Sequence, residues 1–201
     1  TIVKRRELNP TVTLIEVLAP HVAAKAQPGQ FIILRSDEDA ERIPLTVAAT
    51  DLEAGTVTVI FQVIGDATFR LNQLREGDSI HDFTGPLGTP SKLDGLKKVC
   101  VVGGGVGCAI AYPVAKALHE KGTQVDTIVG FRTKDLVILE DEFKAVSDRF
   151  FMQTDDGSYG QKGLVTDKLR ELLEAGEKYD EVIVIGPMIL MKFVCLLTKE
   201  F

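Results

Sequence analysis

VCVVGGGVGCAIAYPVAKALHEKG, residues 99–122, joins an unbroken apolar run to a helix-patterned stretch through Gly103, Gly104, Gly105 and Gly107. A continuous apolar run suits a strand covered on both faces, which is the usual condition of a parallel sheet. Glycines between such a strand and a helix let backbone N–H groups and the helix dipole approach a pyrophosphate. The spacing is not GxGxxG, because Cys108 stands where the third glycine would be, so the dinucleotide fingerprint is only partly met. The bland reading of the same residues is a tight turn that needs glycine for backbone clearance alone.

Downstream of Lys98, strand patterns alternate with helix patterns: KVCVVGG, a helix over about 107–121, QVDTIVGF, a helix around 140–148, RFFMQT, a helix over 166–175, EVIVIG, and a helix over 188–199. This alternation predicts an α/β domain with a parallel sheet and crossover helices. Upstream the pattern is short, β-branched and punctuated by Gly, Pro and Asp: TVTLIEVLAP, QFIILRS, PLTVAAT, GTVTVIFQVIG and DSIHDF. Only residues 67–77 read there as a helix, with Phe69, Leu71 and Leu74 on or near one face. The expected architecture is two domains, an antiparallel β-barrel over 1–95 and an α/β domain over 96–201. GPLGTPSKLDG forms an ordered, turn-rich link between them.

Bulk composition excludes several partners. Over 201 residues the formal net charge is −6, which leaves no basic stripe for a nucleic acid. No apolar run approaches the ~18 residues of a membrane span, and TIVKRRELNP lacks a signal-peptide core. Cys100, Cys108 and Cys195 form neither a disulfide framework nor a CxxC metal pattern. A reducing cytoplasm is the expected compartment.

Other phosphate candidates lie upstream. RIPLT sets Arg42 before an extended Pro44–Leu45–Thr46 segment, and IGDATFRL sets Gly65 and Thr68 at a helix start. An arginine fork suits a phosphate, and extended backbone can hydrogen-bond a flat heterocycle. The bland readings are a solvated strand-end charge for Arg42 and a plain cap for Thr68. After QVDTIVGF, Arg132 and Lys134 occupy the place where an NAD-binding fold usually sets a ribose-binding acid. Cys108 reads as packing beneath the glycine loop, and His21, His81 and His119 share no motif. The acidic run Ser36 to Glu41 reads as a solvated hairpin tip.

Taken in order, RIPLT, then GPLG at 85–88, then VGGGVG resembles the ferredoxin–NADP reductase superfamily across essentially the whole chain. TDDGSYGQKGLVTD (154–167) and IGPMILMKFVCLLTKEF (185–201) are most similar to one branch. That branch holds the small subunit of NADH-dependent reduced ferredoxin:NADP oxidoreductase and the dihydroorotate dehydrogenase electron transfer subunit. The resemblance implies FAD on the first domain, with Arg42 on a phosphate, Pro44, Leu45 and Thr46 lining the flavin, and Gly65 and Thr68 reaching the pyrophosphate. The pattern's second glycine is Ala67 here. It also implies a nicotinamide dinucleotide, NAD(H) favoured over NADP(H), on the second domain. Gly103, Gly104, Gly105 and Gly107 would meet its pyrophosphate. Asp155, Asp156, Gly157, Gly186, Pro187 and Met188 would lie near its ribose and nicotinamide ends, while Arg132 and Lys134 would suit a 2′-phosphate, the feature that argues for NADP(H). Hydride would pass between the two rings where the domains meet, with no side chain acting as acid or base.

The implied activity is a flavoprotein electron-transfer subunit, an NAD(P)H-linked oxidoreductase. Its partner would be a larger flavoprotein or iron–sulfur catalytic subunit of an electron-bifurcating NADH-dependent ferredoxin:NADP oxidoreductase, with ferredoxin reached indirectly. Two alternatives are a dihydroorotate dehydrogenase assembly and a non-catalytic nucleotide-binding sensor. Members of the branch continue past the position of Phe201 with a strand and a cysteine cluster for a [2Fe–2S] centre. The expectation is therefore a native chain that extends further and covers the otherwise bare edge of EVIVIG.

Overall fold

Six strands dominate the N-terminal part: β1 (Ile2–Asn9), β2 (Val12–Leu18), β3 (Phe31–Arg35), β4 (Ile43–Asp51), β5 (Thr56–Gln62) and β6 (Asp82–Leu87), with short helices α1 (Pro20–Ala23) and α2 (Asp66–Gln73). The structure, a computed structural model, describes residues 1–201. It divides into one unit of residues 1–92 and another of 93–201.

In the first unit all pairings are antiparallel, in the order β1-β2-β5-β4-β3-β6. β4 pairs with β3 from Ile43 to Thr46 and with β5 from Val47 onward, with a register shift between Val47 and Ala49. Such a bulge bends a strand and raises its twist, which curls the sheet. Ile2, Ile15, Ile32, Leu34, Val59, Phe61 and Leu71 thereby share one core. The ladder ends at β1 and β6, so the expected barrel is, in hydrogen-bonding terms, an open curled sheet. The turn before β6 meets the edge of β1 instead. There the Ile2 N–H donates to Asp78 O and the Gly77 N–H to Ile2 O, both at 2.8 Å. That use of Gly77 and Asp78 explains why β6 starts at Asp82 rather than within DSIH. α2 buries Leu71 but leaves Phe69 exposed.

The second unit runs β7 (Lys98–Gly104), a 3-10 turn (Gly105–Gly107), α3 (Cys108–Glu120), β8 (Gln124–Phe131), a 3-10 turn (Lys134–Leu136), α4 (Glu140–Ala145), β9 (Arg149–Thr154), β10 (Gln161–Lys162), α5 (Val165–Glu174), β11 (Glu181–Ile185) and α6 (Met188–Leu197). Its parallel sheet has the order β10-β9-β8-β7-β11. Val99 to Val102 are wholly buried in β7. Cys100 and Val102 pack with Ile128, Leu169, Val194 and Leu197, joining α5 and α6 to the sheet. α3 lies against β7 and β8 through a stripe that includes Ala111, Val114, Ala115 and Leu118, all buried. No helix is long and apolar enough to cross a membrane.

The amino ends of these strands are tied by a polar cluster. Asp126 of β8 has no exposed side-chain surface and takes both Arg149 Nε (2.9 Å) and Nη2 (2.5 Å) in a fork. The Tyr179 hydroxyl donates to the same carboxylate at 2.7 Å. Arg149 Nη1 donates to Glu177 at 2.7 Å, and Lys98 also pairs with Glu177. Desolvation, then the bond to Asp126, pushes the Tyr179 phenol well up and keeps it a donor.

Candidate functional site

From β7 the chain winds outward through β8, β9 and β10, then returns to β11 on the other flank of β7. The direction of winding therefore reverses between β7 and β11. In open α/β sheets ligands bind at the carboxyl ends of the strands flanking such a reversal. The glycine loop follows β7 and the Gly186–Pro187–Met188 turn follows β11, so both lie at that crevice.

The four glycines there do different things. A Cβ on Gly103 would stand 2.8 Å from Cys108 Sγ, one on Gly104 2.7 Å from Leu190 Cδ1, and one on Gly107 2.7 Å from Gly186 Cα. Those three positions are closed by the protein's own packing. Gly105 alone has a left-handed backbone, φ +55°, and its missing Cβ faces open space. Gly107 joins the 3-10 turn to α3, and the Cys108 N–H donates back to Gly105 O within that turn. Cys108 is buried, and burial pushes its thiol well above the reactive range, which fits packing rather than redox use.

At the carboxyl ends of β8 and β9 two loops are laced together. Asp155 N–H donates to Phe131 O (3.0 Å), Asp156 N–H to Arg132 O (3.3 Å) and Lys134 N–H to Ser158 Oγ (2.8 Å). Asp156 Oδ1 accepts the Ser158 hydroxyl (2.6 Å) and N–H (2.9 Å), bonds that hold its carboxyl below the usual range. Gly157 turns the loop with φ +76°. Asp156 is thus engaged within its own turn, while Asp155 and Arg132 are exposed. Lys134 Nζ lies over the Tyr159 ring, 5.5 Å from its centroid. Ser158 and Leu190 were not singled out from sequence. The Asp-x-Ser spacing at 156–158 carries a signal for the first, and nothing local marks the second.

In the first unit, Arg42 precedes β4 and gives Nη2 to Asp82 Oδ2 at 2.7 Å, with its side chain 60% exposed. Asp82 Oδ2 also lies 2.9 Å from Arg35 Nε. Pro44, Leu45 and Thr46 pair with Ile33, Ile32 and Phe31 of β3. Because β5 joins β4 only from Val47, the other edge of residues 43–46 has no strand partner. Unpaired strand backbone beside a guanidinium suits a flat heterocycle carrying a phosphate tail. Gly65 is extended, exposed and has open space where a Cβ would be. The Thr68 hydroxyl accepts the N–H groups of Ile64 (3.0 Å) and Gly65 (3.1 Å) and donates to Gly65 O (2.9 Å). Thr68 is therefore a cap with its hydrogen-bonding used locally. Arg70, paired with Asp66 and Asp37, ties α2 to the acidic run that leads into Arg42.

Residues 101–196 match the oxidoreductase NAD-binding domain family. Over 200 residues the chain is 46% identical to the dihydroorotate dehydrogenase B (NAD(+)) electron transfer subunit homolog of Thermotoga maritima, covering 100% of this chain and 70% of that protein. It is 36% identical over 171 residues to the dihydroorotate dehydrogenase B (NAD(+)) electron transfer subunit of Streptococcus mutans, covering 83% and 65%. A solved structure of NADH-dependent reduced ferredoxin–NADP oxidoreductase superposes with TM-score 0.92 at 44% identity, covering 100% of this chain and 72% of that one.

Proposed function

This chain belongs to the family of dihydroorotate dehydrogenase B electron transfer subunits, and on that premise we propose that it is a flavoprotein oxidoreductase subunit. It takes electrons from NADH and passes them to a larger catalytic partner subunit. The observation that carries the reading is the meeting of the glycine loop and the Gly186 turn at the reversal between β7 and β11. The partner belongs to a ferredoxin:NADP-type bifurcating assembly, in keeping with the 44% identical structure. Relatives named for dihydroorotate dehydrogenase support that enzyme's catalytic subunit as the second reading.

FAD, when bound, exchanges a hydride with the nicotinamide and can release the two electrons singly. The first unit, taken as a small barrel-like FAD domain, holds the flavin by the free edge of residues 43–46 and its phosphate by Arg42. In the second unit Gly105 and the turn that leads into α3 present N–H groups to the dinucleotide pyrophosphate. Arg132, Asp155, Asp156 and Gly157 shape the ribose end, and Gly186, Pro187 and Met188 the nicotinamide end. The similarity to NAD(+)-linked and NADH-dependent proteins favours NAD(H) over NADP(H), against the exposed Arg132, whose charge suits a 2′-phosphate.

β11 is the outer strand of the sheet, and α6 beside it exposes Ile189, Phe193 and Leu196. Such an apolar edge calls for a covering strand. The reading extends to an added lobe that covers it and carries a [2Fe–2S] centre, through which the partner and ferredoxin are reached. Among residues 1–201 no group of three His, Cys, Asp or Glu side chains is arranged for a metal.

Protein purified from its native source should be yellow, with a band near ~450 nm that bleaches faster with NADH than with NADPH, and should hold about two irons per FAD. A colourless protein that merely binds nucleotide would make it a sensor. A clear NADPH preference would reverse the cofactor choice, and a yellow protein without iron would leave a flavin-only reductase.

Arg42→Ala should weaken FAD binding by roughly ten- to a hundredfold, the usual cost of losing a charge-assisted bond to phosphate. Asp82 keeps Arg35 as a neighbour in this variant, so the local fold should survive. Flavin retained in full through dilute gel filtration would remove Arg42 from the site.

A further inference from the structure

We propose that the backbone packing of the Gly186 turn against Gly104 and Gly107 acts as a spacer that fixes the nicotinamide end of the bound dinucleotide relative to its pyrophosphate, with Gly186 as a positioning residue. The proposal rests on the dinucleotide reading of the 93–201 unit.

Neither glycine has a positive φ, so backbone freedom does not explain them. Proximity does. A Cβ on Gly107 would stand 2.7 Å from Gly186 Cα, 2.7 Å from Ile185 O and 2.9 Å from Gly186 N. From the other side, a Cβ on Gly186 would stand 3.3 Å from the N, Cα and O of Gly104. Pro187 and Leu190 complete the seat, since a Cβ on Gly104 would stand 3.4 Å from Pro187 Cδ and 2.7 Å from Leu190 Cδ1. The start of α6 therefore rests on the glycine loop through main chain and two apolar side chains.

Gly105 and Met188 differ in kind from these. The missing Cβ of Gly105 meets nothing within 4 Å, and Met188 is 82% exposed. Each contacting segment thus has one side locked against the other and one side open to a ligand. Because main-chain atoms set the separation, no rotamer change can absorb an added methyl. The loop is independently anchored by Cys108 packed under Gly103. A methyl at 186 consequently moves the turn by a few tenths of an ångström and leaves the loop in place. Small displacements of reacting groups slow transfer steeply, whereas binding of the untouched half of a ligand is hardly altered.

Full-length holoprotein carrying Gly186→Ala tests this with two probes. ADP-ribose has the adenosine and pyrophosphate but no nicotinamide, and its affinity is read by calorimetry. Flavin reduction at saturating NADH is read by stopped flow. The expected result is a rate lower by about tenfold with ADP-ribose affinity within about twofold of the parent and an unchanged melting temperature. Equal rates in variant and parent would overturn the proposal. So would a parallel loss of ADP-ribose affinity, which would make Gly186 part of the loop's own structure. Pro187→Ala adds no atom near the loop and guards against misfolding of the first variant. It should slow reduction about threefold, again sparing ADP-ribose, and an unaltered rate would count against the spacer. A parent protein that binds no ADP-ribose would sink the dinucleotide reading itself, a result separable from failure of the spacer.

Discussion

Asp126→Ala is expected to destabilise the 93–201 unit by about 3 kcal/mol, the low end of the cost of removing one partner from a buried ion pair. The low end applies because Arg149 is 37% exposed and regains some hydration, whereas Asp126 is fully buried. The variant leaves a guanidinium fork and the Tyr179 hydroxyl without their acceptor, and leaves a cavity between β8 and β9. For a unit of this size the loss corresponds to a fall in melting temperature of roughly 10–20 °C. Asp126→Asn keeps one acceptor oxygen and should lose less. Thermal melts of the two variants order these effects, and an Asp126→Ala protein melting within a degree of the parent would show the cluster to be energetically neutral. The neighbouring Glu177 adds an acid-side dependence. Lys98, then Arg149, hold its carboxyl below the ordinary value of 4.5. Its contribution is therefore present above that value and is lost as pH falls through the lowered one.

That cluster also shows what kind of information the sequence carries openly. QVDTIVGF reads as a buried parallel strand because six of its positions are apolar or small, and the structure pairs it on both edges. Asp126 inside that run is a local contradiction, and only the register that sets Arg149 opposite it resolves the conflict. The alternation in residues 98–199 was legible because the inner strands β7 and β8 are buried along most of their length and α3 and α5 each show an apolar stripe.

The first unit was less legible at its edges. IVKRRELN forms β1, yet an edge strand faces solvent and carries charges that hide its pattern, with Lys4 paired to Glu16 across the ladder. α1 and β10 are too short for any periodicity to register. At the candidate site, a glycine cluster was visible and its location after β7 followed from it. Which glycine faces a ligand and which faces Leu190 or Gly186 depends on contacts made by residues more than 80 positions away in sequence for Gly104 and nearly as far for Gly107.

That division of labour yields the second large effect, a contrast between two valines. Gly107→Val places a branched side chain where even the Cβ would lie 2.7 Å from main-chain atoms of Ile185 and Gly186. No rotamer relieves an overlap with backbone, so the variant should lose about 3 kcal/mol or more and melt far below the parent. A Cβ at Gly105 meets no neighbour within 4 Å. The difficulty for Gly105→Val is the left-handed backbone, which a β-branched residue resists at a cost of about 1–3 kcal/mol. The chain can escape that strain by turning the loop, and turning the loop swings the N–H groups away from the pyrophosphate. Gly105→Val should therefore remain folded and keep its flavin while ADP-ribose affinity falls roughly ten- to a hundredfold, the cost of misdirecting bonds to a charged group. Gly105→Asn, which tolerates the left-handed region, should lose much less. Calorimetry with ADP-ribose and melting curves on the three variants separate the two causes. A folded Gly105→Val protein with parental ADP-ribose affinity would mean that the glycines serve backbone clearance alone, because open space and positive φ at Gly105 would then have no ligand to explain them.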